Sequence, residues 1–281
     1  MRKSIIPVLS SFLFIVIFSF SSAKAQYYYK DLMSTYKQNI EFSVLKNAGF
    51  RNVKISSFDE HDQPSDGFFC EKRINKNFSQ SQLMTNSNIT GQSLLVTDYN
   101  SNGDVVKTKT TTPNTTNNIE FTYDSNRNII LIRTETVADG DSSGIVETHQ
   151  YFNKDNLPVK MIRMKNNVLV STINFLADQK GNVIEEDPAG NSDDKKYYYY
   201  YDDKNRLTDV VHYNVIAKRL LPDYMFEYAA DNEPKQMISV DETGRNYFIW
   251  RYSYDDKKLP EIQKCFSKEK TLLGTIQYDY K

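Results

Sequence analysis

Three histidines, two cysteines and scattered carboxylates are the groups in this 281-residue sequence that could do chemistry. His61, His149 and His212 are far apart, and none has a Cys or second His at the spacing zinc requires, so neither metal nor cofactor is expected. Gly91-Gln92-Ser93-Leu94-Leu95 lacks the second glycine of a serine-hydrolase elbow. Asp98 to Gly103 starts like a calcium loop, but Lys109 stands where the bidentate acid belongs and would repel the ion; a hairpin turn accounts for the same residues. The paired acids Glu185-Glu186 and Asp193-Asp194 point to opposite faces if they lie on strands, as solvated residues do. No constellation of catalytic groups supports an enzyme, and a carbohydrate-active one is left only as the last alternative.

The aromatic residues carry more information. Tyr197 to Tyr201 are five consecutive tyrosines. On a strand, Tyr197, Tyr199 and Tyr201 share one face, and Tyr198 and Tyr200 the other. With the first set turned to the core, Tyr198 and Tyr200 offer water flat rings with polar tips, suited to sugars or peptides. By the same alternation Trp250 belongs inside with Phe248, Tyr252 and Tyr254, and Arg251 and Ser253 outside.

These residues sit in a recurring pattern. Alternating apolar residues lead into an aromatic or Ala anchor, turn formers follow, and an apolar residue starts a second strand. The anchors Tyr99, Tyr123, Phe152, Ala177, Tyr201, Ala230, Tyr254 and Tyr278 are 24 to 29 residues apart. Two short strands and two turns fill such a period. The expected fold is all-β: an antiparallel meander of β-hairpin repeats over residues 51–281, in one open, curled sheet. Leu32, Met33, Tyr36 and Ile40 are spaced as on a helix, so residues 26–50 are expected to form a partly helical N-terminal cap on the array.

Tyr123-Asp124, Tyr201-Asp202 and Tyr254-Asp255, each followed by turn residues and an apolar residue, resemble the YD repeats of the RHS family and short exported β-repeat proteins of the Bacteroidota type. The resemblance covers roughly residues 94–281 and implies a curved β-sheet shell. The toxin that RHS shells enclose is not expected here, because nothing follows the last repeat.

The first 25 residues read as a secretory signal: Arg2 and Lys3, an apolar run from Ile5 to Phe20, then Ala23-Lys24-Ala25 before a cut at Gln26. Their loss removes three basic residues and no acidic one, taking the net charge from −1 to −4. Such mild acidity disfavours nucleic acid and anionic membranes as partners, and no second apolar stretch is long enough to span a bilayer. The sequence therefore suggests a non-catalytic protein of the periplasm, outer surface or medium that binds a glycan, a peptide or an envelope protein, or else a structural element assembling through its sheet edge. Cys70 and Cys265 lie near the two ends of the array, ~65 Å apart along an open sheet, and should be free thiols.

Overall fold

The computed structural model describes residues 26–281, apart from 141–143, 191–193, 215–216 and 242–243. The expected signal segment lies outside the described residues. The described residues open on a helix, π-helical over Tyr28–Met33 and α-helical as α1 over Ser34–Ala48. Six strands follow: β1 (Asn52–Phe58), β2 (Phe69–Ile74), β3 (Gln80–Ser87), β4 (Gly91–Tyr99), β5 (Val105–Thr111) and β6 (Thr115–Tyr123). Next come β7 (Ile129–Ala138), β8 (Ile145–Lys154), β9 (Leu157–Lys165), β10 (Val168–Ala177), β11 (Val183–Pro188) and β12 (Tyr197–Tyr201). The last six are β13 (Leu207–Asn214), β14 (Arg219–Tyr228), β15 (Pro234–Val240), β16 (Tyr247–Tyr254), β17 (Pro260–Phe266) and β18 (Leu272–Tyr280).

Each strand pairs antiparallel with the next, and the ring closes. β1 pairs with β2 through Val53↔Lys72 and with β18 through Val53↔Tyr280. The expectation of an open curled sheet is therefore wrong: the molecule is a closed 18-stranded antiparallel β-barrel. Closure satisfies the backbone groups that two free edges would leave unpaired. It also leaves no edge for a cap or for edge-mediated assembly. The helical segment instead packs inside the barrel, where Tyr27 and Leu32 meet the inner face of β6 to β14, and Phe42 and Leu45 meet that of β1 to β5 and β16 to β18.

Barrels of this size can hold a water channel unless something fills them. Here the helix and long aromatic side chains do so. Phe42 stacks on Tyr99 with ring centroids 3.5 Å apart, and Tyr28 meets Tyr199 edge-on at 5.2 Å. Tyrosine is long enough to reach far into the lumen, and its hydroxyl finds a partner there. The Tyr123, Tyr201, Tyr228 and Tyr280 hydroxyls donate to the carbonyls of Val105, Val183, Leu207 and Pro260, each at the start of an earlier strand. Neighbouring hairpins are tied together in this way.

The turns at that end of the barrel share one geometry. Asp124, Asp178, Asp202 and Asp255 each accept from the backbone N–H groups two and four residues on, at 2.8 to 3.0 Å. The residue three after each Asp has positive φ: Arg127, Gly181, Asn205 and Lys258. Gly and Asn adopt that conformation readily, whereas Arg and Lys are held there by the Asp bonds.

Cys70 on β2 and Cys265 on β17 are both buried and free. Closure leaves only β1 and β18 between them, three strand spacings or roughly 14 Å, still beyond the ~7 Å reach of a disulfide. Their freedom thus follows from register rather than from an open sheet. Burial pushes both thiols up to about 12, leaving negligible thiolate at neutral pH. Thiol reagents should leave the folded protein unmodified and label both sites once it is unfolded, as mass spectrometry would show.

Candidate functional site

Charged residues line part of the outer wall. Lys54, Glu71, Lys107, Glu120 and Arg133 point outward from β1, β2, β5, β6 and β7, and Lys107 bonds Glu120 across the strands at 2.9 Å. A lipid-facing barrel needs an apolar band ~25 Å tall, and each lysine or arginine at its midplane costs about 2–4 kcal/mol, each acid less. Among the described residues no helix is long and apolar enough to cross a membrane.

One arc differs. The pairing Tyr200↔Asp209↔Met225↔Ile238↔Ile249↔Phe266↔Leu272 draws one outward residue from each of β12 to β18 into a continuous row. At ~4.8 Å per strand the row is roughly 30 Å long, and most of it is apolar. Its centre is recessed: Met225, Ile238 and Ile249 floor an open groove of about 460 Å³, edged by Gln236, Tyr247, Arg251 and Lys270. Ile249 is 6% exposed although it points away from the core, where its neighbour Trp250 is buried. The Arg251 guanidinium lies over the Phe266 ring, 4.9 Å from its centroid, which fixes its direction at the groove edge.

Tyr200, at one end of the row, is 47% exposed. Tyr198, also outward, pairs with Glu185 and Val211, and the Lys196 ammonium sits 5.4 Å from its ring centroid. Tyr197 and Tyr199 are buried in the lumen, and the Tyr201 ring packs against the same cluster. The groove residues carried no sequence signal, because Met225, Ile238 and Ile249 come together only through register across three strands.

A second constellation lies inside, around the start of the helix. His149 places Nδ1 2.6 Å from Asp31 and Nε2 2.8 Å from Glu147. Arg163 grips Glu147 with two bonds of 3.0 Å, and the Tyr151 hydroxyl donates to Asp31 at 2.7 Å. Burial alone would lower the His149 pKa, but the Asp31 and Glu147 carboxylates outweigh it and raise it to about 9. Burial opposes ionisation of Glu147, yet its bonds to His149 and Arg163 hold its pKa at about 2. With both ring nitrogens protonated and donating, His149 has no lone pair for general-base work at neutral pH. The cluster is a clamp between helix and wall.

His212 faces inward with Nδ1 2.9 Å from Asp223, while His61 is in an exposed turn. Glu186 is fully buried and Glu185 faces outward to Lys196; Asp193 lies outside the described residues. The expectation of solvated acids therefore fails for Glu186, whose inward position on β11 is set by pairing with Tyr197, and for Asp194, whose 5%-exposed side chain lies 3.6 Å from the Arg163 guanidinium. Among the described residues no group of three or more His, Cys, Asp or Glu could hold a metal.

No protein-family model matches the sequence, and no curated protein is found to be similar. Among solved structures, a porin-like protein from Bacteroides uniformis is similar at 10% identity and a TM-score of 0.42, over 83% of this chain and 98% of that one. A porin-like protein from Bacteroides vulgatus matches at 9% identity and 0.28, over 81% and 97%. A chain of the TcdB2-TccC3-Cdc42 structure matches at 12% and 0.28, over 77% of this chain and 15% of that one. At these TM-scores the similarity assigns neither family nor function.

Proposed function

We propose that this chain is an exported, non-catalytic binding protein of the cell envelope that takes a glycan on the outer wall of a filled barrel. The observation that carries the reading is the row from Tyr200 to Leu272 with its groove, where an apolar floor lies beside amide, guanidinium and ammonium groups. A sugar ring presents the matching surface, apolar on one face and hydroxylated at its edge. Tyr198 and Tyr200 extend the contact along the same arc, and rigid aromatic rings cost little entropy to order. The groove volume is of the size that small-ligand sites have. The signal-like residues 1–25 support export, and the charged outer wall suits an aqueous compartment. The recurring Asp-centred turns support kinship with YD-type repeats, here closed into a ring.

Envelope glycans titrated against the protein should bind, and Tyr200→Ala and Arg251→Ala should each weaken binding about tenfold, the equivalent of ~1.4 kcal/mol. Both side chains lie on the outer surface, so melting temperature should stay within the range of ordinary surface substitutions. Unchanged affinity in the double variant would remove the arc as the binding site. Recovery of a bound peptide or envelope protein in place of any glycan would change the ligand class.

A further inference from the structure

Glu186 is the most deeply placed carboxylate of the lumen, with no measurable exposure. It accepts the backbone N–H groups of Gln26, Tyr27 and Tyr28 at 3.1, 3.1 and 2.9 Å, and the Tyr199 hydroxyl at 2.8 Å. None of the charged pairs among the described residues supplies it with a Lys, Arg or His. Burial raises its pKa despite the four donors, as expected of a carboxylate lacking a countercharge.

Gln26 stands at the other side of this contact. It is 4% exposed, and its side-chain amide donates to Asp223. Its φ is 92°, a left-handed conformation that a non-glycine residue in mid-chain adopts at a cost, because the preceding carbonyl crowds its side chain. An N-terminal residue has no preceding carbonyl and bears no such cost.

We infer that cleavage between Ala25 and Gln26 creates the missing countercharge: the new α-ammonium of Gln26 pairs with Glu186 inside the barrel, and processing thereby locks the helix into the lumen. A processing peptidase consumes one water; the Ala25 carbonyl leaves as a carboxylate, and the Gln26 nitrogen gains protons to become an ammonium. That cation lies 3.1 Å from Glu186 Oε1, where low dielectric strengthens the attraction. The pair also relieves a conflict, since a bare cation at a helix N-terminus opposes the helix dipole and a carboxylate there complements it. The inference rests on the signal-cleavage reading, but not on the glycan reading.

The test compares protein whose first residue is Gln26 with protein that retains Lys24-Ala25 ahead of it, each with and without Glu186→Gln. Retaining the two residues should lower the melting temperature by roughly 10 °C, the scale for unpairing a buried charge in a domain of this size. In the Glu186→Gln background, which keeps an acceptor but no charge, most of that difference should vanish. Equal melting of the processed and extended chains would overturn the inference. A second measurement holds even if a variant fails to fold: in the native Gln26 protein the α-amine should resist acylation that proceeds readily in urea, and free labelling of the folded protein would overturn it. Intact mass of protein from the producing cell tests the export reading separately. A start at Gln26 with a free amine is expected, a start elsewhere would defeat the cleavage premise, and a Gln26 cyclised to its lactam would defeat the ammonium pair alone.

Discussion

Raising the pH from about 6.5 to about 9 should cost the barrel roughly 3 kcal/mol of stability through His149 alone. Its side chain is 13% exposed, and its pKa rises from the ordinary 6.5 to about 9 in the folded state. A group whose pKa is raised by folding stabilises fully below its unfolded value, and that contribution fades as pH climbs through the folded one. Glu147 acts in the opposite direction: its folded value of about 2 means its contribution is present above 4.5 and fades as pH falls toward 2. The plateau therefore lies between about 4.5 and 6.5. Urea unfolding across this range should trace it, and His149→Gln should flatten the alkaline arm. A wild-type profile already flat from pH 6.5 to 9 would show that the clamp does not hold a charged imidazole.

Phe42→Ala should lower stability by about 3–5 kcal/mol, the range for truncating a buried aromatic ring. Phe42 is 2% exposed, stacked on Tyr99, and its ring lies 3.7 Å from where a Cβ on Gly103 would stand. Loss of the ring uncouples α1 from the turn of β4 and β5 and leaves a cavity that the fixed wall cannot close. Ile40→Ala is the control: Ile40 is 62% exposed, and its loss should change stability by less than about 0.5 kcal/mol. Chemical denaturation of both variants decides the matter. Equal costs would mean that the helix presents a different face to the wall.

That contrast also shows where the sequence was readable and where it was not. The spacing of Leu32, Met33, Tyr36 and Ile40 pointed to a helix but not to the face it buries. The buried face runs through Leu32, Thr35, Asn39, Phe42 and Leu45, where two polar residues interrupt the apolar pattern. Asn39 earns its burial by donating to Asp104 and accepting from the Val105 N–H, a partnership formed only in the assembled barrel. Alternation along strands was legible, as Tyr197 to Tyr201 and Trp250 show, because a two-residue period needs only local information. Closure was not, since the pairing of β1 with β18 joins segments from opposite ends of the chain. The buried clamp was equally hidden: Asp31, Glu147, His149 and Arg163 have no spacing in common, and only tertiary structure brings them together.

The seam between β1 and β18 sets the timetable of folding. Val53 meets Tyr280, and the Lys281 carbonyl receives the N–H groups of Arg51 and Asn52, so the ring cannot shut until the final strand exists. Contacts between such distant segments carry the largest loop-closure cost and form slowly. A chain stopped before Leu272 would keep two sticky borders, β1 and β17, each a template for pairing with another copy. During synthesis, then, the nascent chain remains vulnerable to aggregation until β18 arrives.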